Sequence, residues 1–166
     1  MSPGKPLRFP HFAYVGMHRY FVTICTSNRL PVFKDVDAVE MVLSQLLRCV
    51  LRSDLAVLAY CFMPDHLHAL LVAESDTASV LECVRLFKQV TAFGHRRQTG
   101  DALWQAGFFE RVMRDSEEAA VVARYILENP VRAGLTRTFQ EYPFSGSQCF
   151  TKEELADLWK EPRRRV

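Results

Sequence analysis

From Tyr20 to Thr26 the chain reads Tyr-Phe-Val-Thr-Ile-Cys-Thr, β-branched and aromatic residues with Thr23 set among apolar neighbours, which predicts a strand. Beyond the Asn28 to Pro31 break, Val36, Val39, Val42, Leu43, Leu46, Leu47 and Val50 recur at helical spacing behind Asp35 and Asp37. Leu55 to Phe62 reads as a buried strand, Met63-Pro64-Asp65 as a tight turn, and His66 to Val72 as the antiparallel partner. Val80, Leu81, Val84, Phe87, Val90 and Phe93 mark a second helix, which Gly94 and His95-Arg96-Arg97 are expected to end. A loop with Gly100 and Gly107 leads to a short strand over Phe108 to Met113. Asp115-Ser116-Glu117-Glu118 then offers a capping box for a helix through Val121, Val122, Tyr125 and Ile126, and Pro130 is expected to stop it.

The order strand, helix, strand, strand, helix, strand, helix predicts an α+β fold: a ferredoxin-like antiparallel sheet with helices packed on one face. A short C-terminal extension begins near Thr151, with a helix around Leu155, Leu158 and Trp159. At 166 residues the chain has room for one domain with a substantial core, and too little for a (β/α)8 barrel of roughly 250 residues. The longest apolar run, Leu55 to Met63, is far short of the about 20 residues a spanning helix needs, and Met-Ser-Pro-Gly-Lys-Pro has no signal-peptide order. A cytoplasmic protein with no membrane partner is expected. Five cysteines without Cys-x-x-Cys spacing argue against a disulfide framework or zinc ribbon.

The net charge of +2 conceals segregation. Residues 1 to 34 carry Lys5, Arg8, Arg19, Arg29 and Lys34 and no acid, and residues 85 to 114 carry six bases against Asp101 and Glu110. Segregated bases can form a phosphate-binding face, although scattered surface charge reads the same way in sequence.

Two features could carry chemistry. In a strand, His66 and His68 point to one face while Leu67 points to the other, and paired imidazoles can chelate a divalent cation. Simple alternation on a solvated strand produces the same pattern. Tyr125 and Asn129, four apart, share a helical face near Pro130, yet a core tyrosine and a helix-capping asparagine fit that spacing equally well. Read jointly, a metal on His66, His68 and Asn129 would lie about one helical turn from a nucleophilic Tyr125. That layout suits attack on a phosphodiester.

Met63-Pro64-Asp65-His66-Leu67-His68-Ala69-Leu70-Leu71 resembles the His-hydrophobic-His segment of HUH-type, single-tyrosine, single-strand DNA transposases. Tyr125-Ile126-Leu127-Glu128-Asn129-Pro130-Val131-Arg132-Ala133-Gly134-Leu135 is similar to the tyrosine block of their REP-associated branch. Phe87-Lys88, Trp104-Gln105, Phe108-Phe109, Arg114-Asp115 with Glu117-Glu118, and Tyr142-Pro143-Phe144-Ser145-Gly146-Ser147 extend the likeness over roughly Phe12 to Ser147. Two departures, Phe144 for the family's tryptophan and Gly146 between two serines, fall in the closing segment. The resemblance implies one catalytic domain over 1–150 followed by a short basic tail over 151–166. It also implies Mg2+ or Mn2+ held by His66, His68 and Asn129, with Tyr125 as nucleophile.

The expected activity is metal-dependent cleavage and joining of single-stranded DNA near hairpins of repeated extragenic palindromes, through a 5′-phosphotyrosine and without a nucleotide cofactor. The alternative is a non-catalytic ferredoxin-like module that only binds nucleic-acid hairpins. Lys88, Arg96, Arg97, Arg111 and Arg114 are candidate contacts to the DNA backbone, and Trp104, Phe108 or Phe109 candidate stacking platforms for bases. A monomer is expected, with a dimer that exchanges the tyrosine helix as the other possibility.

Overall fold

A computed structural model describes residues 17–114 and 119–160. The elements run β1 (Arg19–Cys25), α1 (Val36–Arg52), β2 (Leu55–Met63), β3 (His66–Ala73), α2 (Val80–Thr99), β4 (Phe109–Val112), α3 (Ala119–Leu127), α4 (Asn129–Arg132), β5 (Ser145–Gly146) and α5 (Lys152–Lys160). The strands pair antiparallel in the order β4-β1-β3-β2-β5. The first four strands have the ferredoxin-like arrangement that the sequence predicts, with β5 added outside β2. The expected capping box at 115–118 lies outside the described residues.

Period-two alternation divides the sheet into two faces. Tyr20, Val22, Ile24, Leu67, Ala69 and Leu71 face α1 and α2 in the larger core, with Val42, Leu46, Val84 and Phe87 opposite them. Burying each such aliphatic side chain contributes about 1.5–3 kcal/mol, so this layer is the main support of the sheet. The second face departs from the expectation of helices on one side only. Ala59, Cys61, Met63 and Leu70 are apolar there too, and Val122, Ala123, Ile126 and Leu127 of α3 cover them. A shift in the β2–β3 register between Val57 and Ala59 makes this possible. One extra residue exchanges the faces, so Leu55 and Val57, then Tyr60 and Phe62, all join the first core while Cys61 and Met63 turn to the second. A strand buried on both faces explains why β2 reads as a continuous apolar run.

Two boundaries differ from those expected. α2 does not end at Gly94 but continues to Thr99, with Gly100 at φ 84° closing the helix through its N–H on the Arg96 carbonyl. A mid-helix glycine costs about 1 kcal/mol relative to alanine, which the buried Phe87, Thr91 and His95 on the same helix outweigh. Pro130 interrupts α3 without ending helical structure: the chain stays helical at Glu128 and restarts as α4, where a proline in the first turn forfeits no hydrogen bond. The extension from Thr151 packs onto the domain. Leu155 of α5 is buried in the second core and Trp159 packs against Phe139. Gly146 lets β5 cross Tyr60, since a Cβ there would stand 2.9 Å from the Tyr60 hydroxyl.

Candidate active site

His66 and His68 lie on the second face of β3, beneath α3. Their Nε2 atoms approach to 3.1 Å, and each Nδ1 is held from behind: His66 by Asp65 Oδ1 at 2.6 Å, His68 by Thr23 Oγ1 at 2.8 Å. The sheet register supplies Thr23, which lies opposite His68, and sets Cys25 opposite His66. Asp65 belongs to the hairpin turn, which is tied to the end of β1 by Thr26 N–H donating to the Asp65 carbonyl at 2.9 Å. The Arg29 guanidinium meets Asp65 Oδ2 at 2.9 Å and Cys25 Sγ at 2.7 Å. To deliver it, Asn28 and Arg29 both adopt left-handed backbone, φ 52° and 57°, an uncommon conformation for residues other than glycine.

Burial lowers the pKa of both histidines. For His68 the descent, to about 3, is led by desolvation and reinforced by the neighbouring His66, Arg132 and Arg29. For His66 desolvation also dominates, opposed by the Asp65 carboxylate. Both rings are therefore neutral at pH 7, with one N–H each. The carboxylate accepts the His66 proton at Nδ1, which leaves the His66 Nε2 lone pair facing His68. Thr23 can donate or accept, so His68 is free to use either tautomer. When His68 donates from Nδ1 to Thr23, both Nε2 lone pairs point at the same place.

Such a pair fits a divalent cation. Two donors about 2.1 Å from one ion and at about a right angle stand about 3.0 Å apart, close to the observed separation. Among the described residues no group of three His, Cys, Asp or Glu side chains forms a metal site. Asn129 opens α4, and its Nδ2 donates to the Tyr125 carbonyl at 3.4 Å.

The Tyr125 side chain projects from α3 onto this face and is half exposed. Its ring meets Phe21 edge to face at 6.2 Å, and Phe21 in turn meets His68 at 5.3 Å between centroids. The Arg132 guanidinium covers the Tyr125 ring at 4.3 Å from its centroid. Tyrosine, histidine pair and arginine thus surround one stretch of the sheet.

The candidate DNA contacts separate in space. Arg111 of β4 pairs with Phe21 and Phe109 with Thr23, so both share the histidine face, where Phe109 is 47% exposed. Arg114 follows just beyond β4 and is exposed. Arg96 and Arg97 are exposed at the C-terminal end of α2, the helix on the opposite face, with Arg97 stacked on Phe93. Two assignments need correction. Trp104 offers no ring face to a base: it is 9% exposed, packs on Phe33 and Phe87, and donates its indole N–H to Thr91 at 2.8 Å. Lys88 is no backbone clamp, because its ammonium group binds the Gln105 and Gly107 carbonyls and holds the loop that follows Trp104. Phe108 is partly buried against the first core.

Thr23, Asp65, Arg29, Phe21 and Arg132 were not singled out from sequence. Thr23 had a signal, as a polar residue on the histidine parity of an apolar strand, and so did Asp65, beside the first histidine. Arg29 had none, because only the folded loop brings it back to the turn.

The family profile described as "Transposase IS200 like" matches residues 14–129, which include both histidines, Tyr125 and Asn129. The chain belongs to this family. A Haemophilus influenzae Rd protein described as a REP-associated tyrosine transposase is 26% identical over 147 residues, covering 82% of this chain and 83% of that one. A solved REP-associated tyrosine transposase bound to a REP hairpin superimposes with a TM-score of 0.68 at 18% identity, over 84% of this chain and 82% of that one. That likeness supports the fold. Members of the IS200-like transposase family are DNA-rearranging enzymes, and the reaction that goes with membership is transesterification at a DNA phosphodiester. Among the described residues no helix of this IS200-like transposase is long and apolar enough to cross a membrane.

Proposed function

We propose that this protein cuts and rejoins single-stranded DNA beside hairpins, with Tyr125 as nucleophile and a divalent cation, Mg2+ or Mn2+, held by His66, His68 and Asn129. The observation that carries the reading is the convergence of the two Nε2 atoms at 3.1 Å on the face where Tyr125 lies, joined to it through Phe21. Bound there, the cation would act as a Lewis acid on the phosphate oxygens. The Tyr125 oxygen attacks phosphorus in line as the bond to the 3′ oxygen breaks. The phenol gives up its proton and the departing 3′ oxygen gains one, leaving a free 3′-hydroxyl and a 5′-phosphotyrosine. Reversal by another 3′-hydroxyl rejoins the strand with no water or nucleotide consumed.

Arg111 and the exposed Phe109 line the β4 edge of this face and, with Arg114 just beyond the strand, are read as the path of the DNA, with Arg96 and Arg97 a separate basic patch. Tyrosine and histidines of one copy already share a face, so the monomer is read as the working unit and exchange of the tyrosine helix is unnecessary. The test offers end-labelled single-stranded hairpins, with and without Mg2+ or Mn2+, and resolves products on a denaturing protein gel. A metal-dependent labelled adduct at Tyr125 is expected. Tight, metal-independent binding without an adduct would instead identify a hairpin-binding module.

The Asp65 carboxylate fixes the His66 tautomer, and removing such an outer partner typically costs 10- to 100-fold in metal affinity. Asp65→Asn is expected to weaken Mn2+ binding to the free protein by about that factor, measured by electron paramagnetic resonance. Unchanged affinity would remove Asp65 from this role.

A further inference from the structure

Tyr125 is half exposed and stands on the last turn of a helix, where a phenol has rotamer freedom to lose before it can attack in line. Its ring is nevertheless held on two sides. Phe21 meets it at an interplanar angle of 90°, and the Arg132 guanidinium lies over it at 4.3 Å, within cation–π range. The same guanidinium donates to the carbonyl of Tyr125 itself, one of the last-turn carbonyls that a helix end leaves unpaired. The break at Pro130 helps to fold Arg132 back in this way, by starting α4 directly after α3.

Ion pairing alone does not account for this placement. Glu128 Oε2 is 3.9 Å from Arg132, whereas Glu128 Oε1 meets Arg124 at 2.9 Å. The stronger partners of Arg132 are the ring and carbonyl of one residue, Tyr125. Arg29 is bound to the Asp65 carboxylate beside His66, while Arg132 lies on the tyrosine side.

We propose that Arg132 is the positioning residue of the nucleophile: it clamps the Tyr125 ring against Phe21 and keeps a positive charge where the scissile phosphate must arrive. This inference rests on the reading of Tyr125 as nucleophile. A planar guanidinium is required for the stack together with the carbonyl bond, so lysine is a poor substitute although it preserves charge.

Arg132→Ala is expected to slow adduct formation at saturating DNA by about 100-fold or more, the range for losing one preorganised charge-stabilising donor. Hairpin affinity should stay within about threefold, because a group that acts on the transition state moves kcat rather than binding. Arg132→Lys should recover only a minor part of the rate, and added guanidinium ion at non-denaturing concentration should rescue Arg132→Ala where sodium does not. Independently of activity, the Tyr125 ring resonance of free, 13C-tyrosine-labelled protein, assigned with Tyr125→Phe, should shift and broaden in Arg132→Ala. An unchanged adduct rate, a rate loss matched by equal loss of DNA affinity, or an unmoved ring resonance overturns the proposal. Absence of any adduct with the unsubstituted protein, while the resonance still shifts, overturns the nucleophile reading and leaves the clamp as a structural contact.

Discussion

Replacing Tyr125 with phenylalanine is expected to abolish covalent attachment to DNA while leaving hairpin affinity within about twofold. The substitution deletes one oxygen and keeps the ring, so the edge contact with Phe21 and the Arg132 stack both survive. With half the side chain in solvent, stability should change by no more than about 0.5 kcal/mol, typical of surface positions. The Tyr125 side chain enters no hydrogen bond among the described residues whose loss would disturb the fold. A label-transfer gel and a filter-binding titration on the same preparation separate the two effects. Residual adduct at more than a trace would assign the nucleophile to another residue. Loss of binding in a folded variant would make Tyr125 a DNA contact instead.

The elements legible in the sequence were those for which pattern and burial agree. β1, α1, the β2–β3 hairpin and the histidine parity all follow from alternation or helical spacing against a single core. What escaped depends on a second layer. The apolar run of β2 was compatible with one buried face or two, and only the register shift at Val57 to Ala59 shows that its later half turns Cys61 and Met63 toward α3. Gly94 carried the local signal of a helix end, which tertiary packing overrode. Trp104 shows the limit for aromatics: in sequence an exposed stacking ring and a core ring with its N–H satisfied by Thr91 look alike. The histidine pair could be singled out from spacing, whereas Thr23 and Asp65 were set by sheet register and turn geometry. Arg132 lay within the recognised tyrosine block, but nothing in its spacing from Tyr125 announced a clamp.

His68→Asn is expected to remove most divalent-cation affinity, exceeding the roughly 10- to 100-fold effect of an outer-shell change such as that at Asp65. The same substitution should alter acid stability in a direction fixed by linkage. Folded His68 titrates near 3, below the ordinary value of about 6.5 in an unfolded chain, because desolvation and the adjacent positive groups oppose its protonation. Between those values the unfolded state binds the extra proton. The contribution is therefore complete above about pH 6.5 and is lost as pH falls toward 3, with a slope of up to about 1.4 kcal/mol per pH unit for this one group. Carboxylates titrate in the same window, so the informative quantity is the difference in urea-unfolding free energy between the native protein and His68→Asn at each pH. That difference should change steadily between pH 6.5 and 4 and level off above about 7 in metal-free buffer. A pH-independent difference would mean that folded His68 is solvated and titrates as it does in the unfolded chain, which would remove burial as the cause that keeps it neutral.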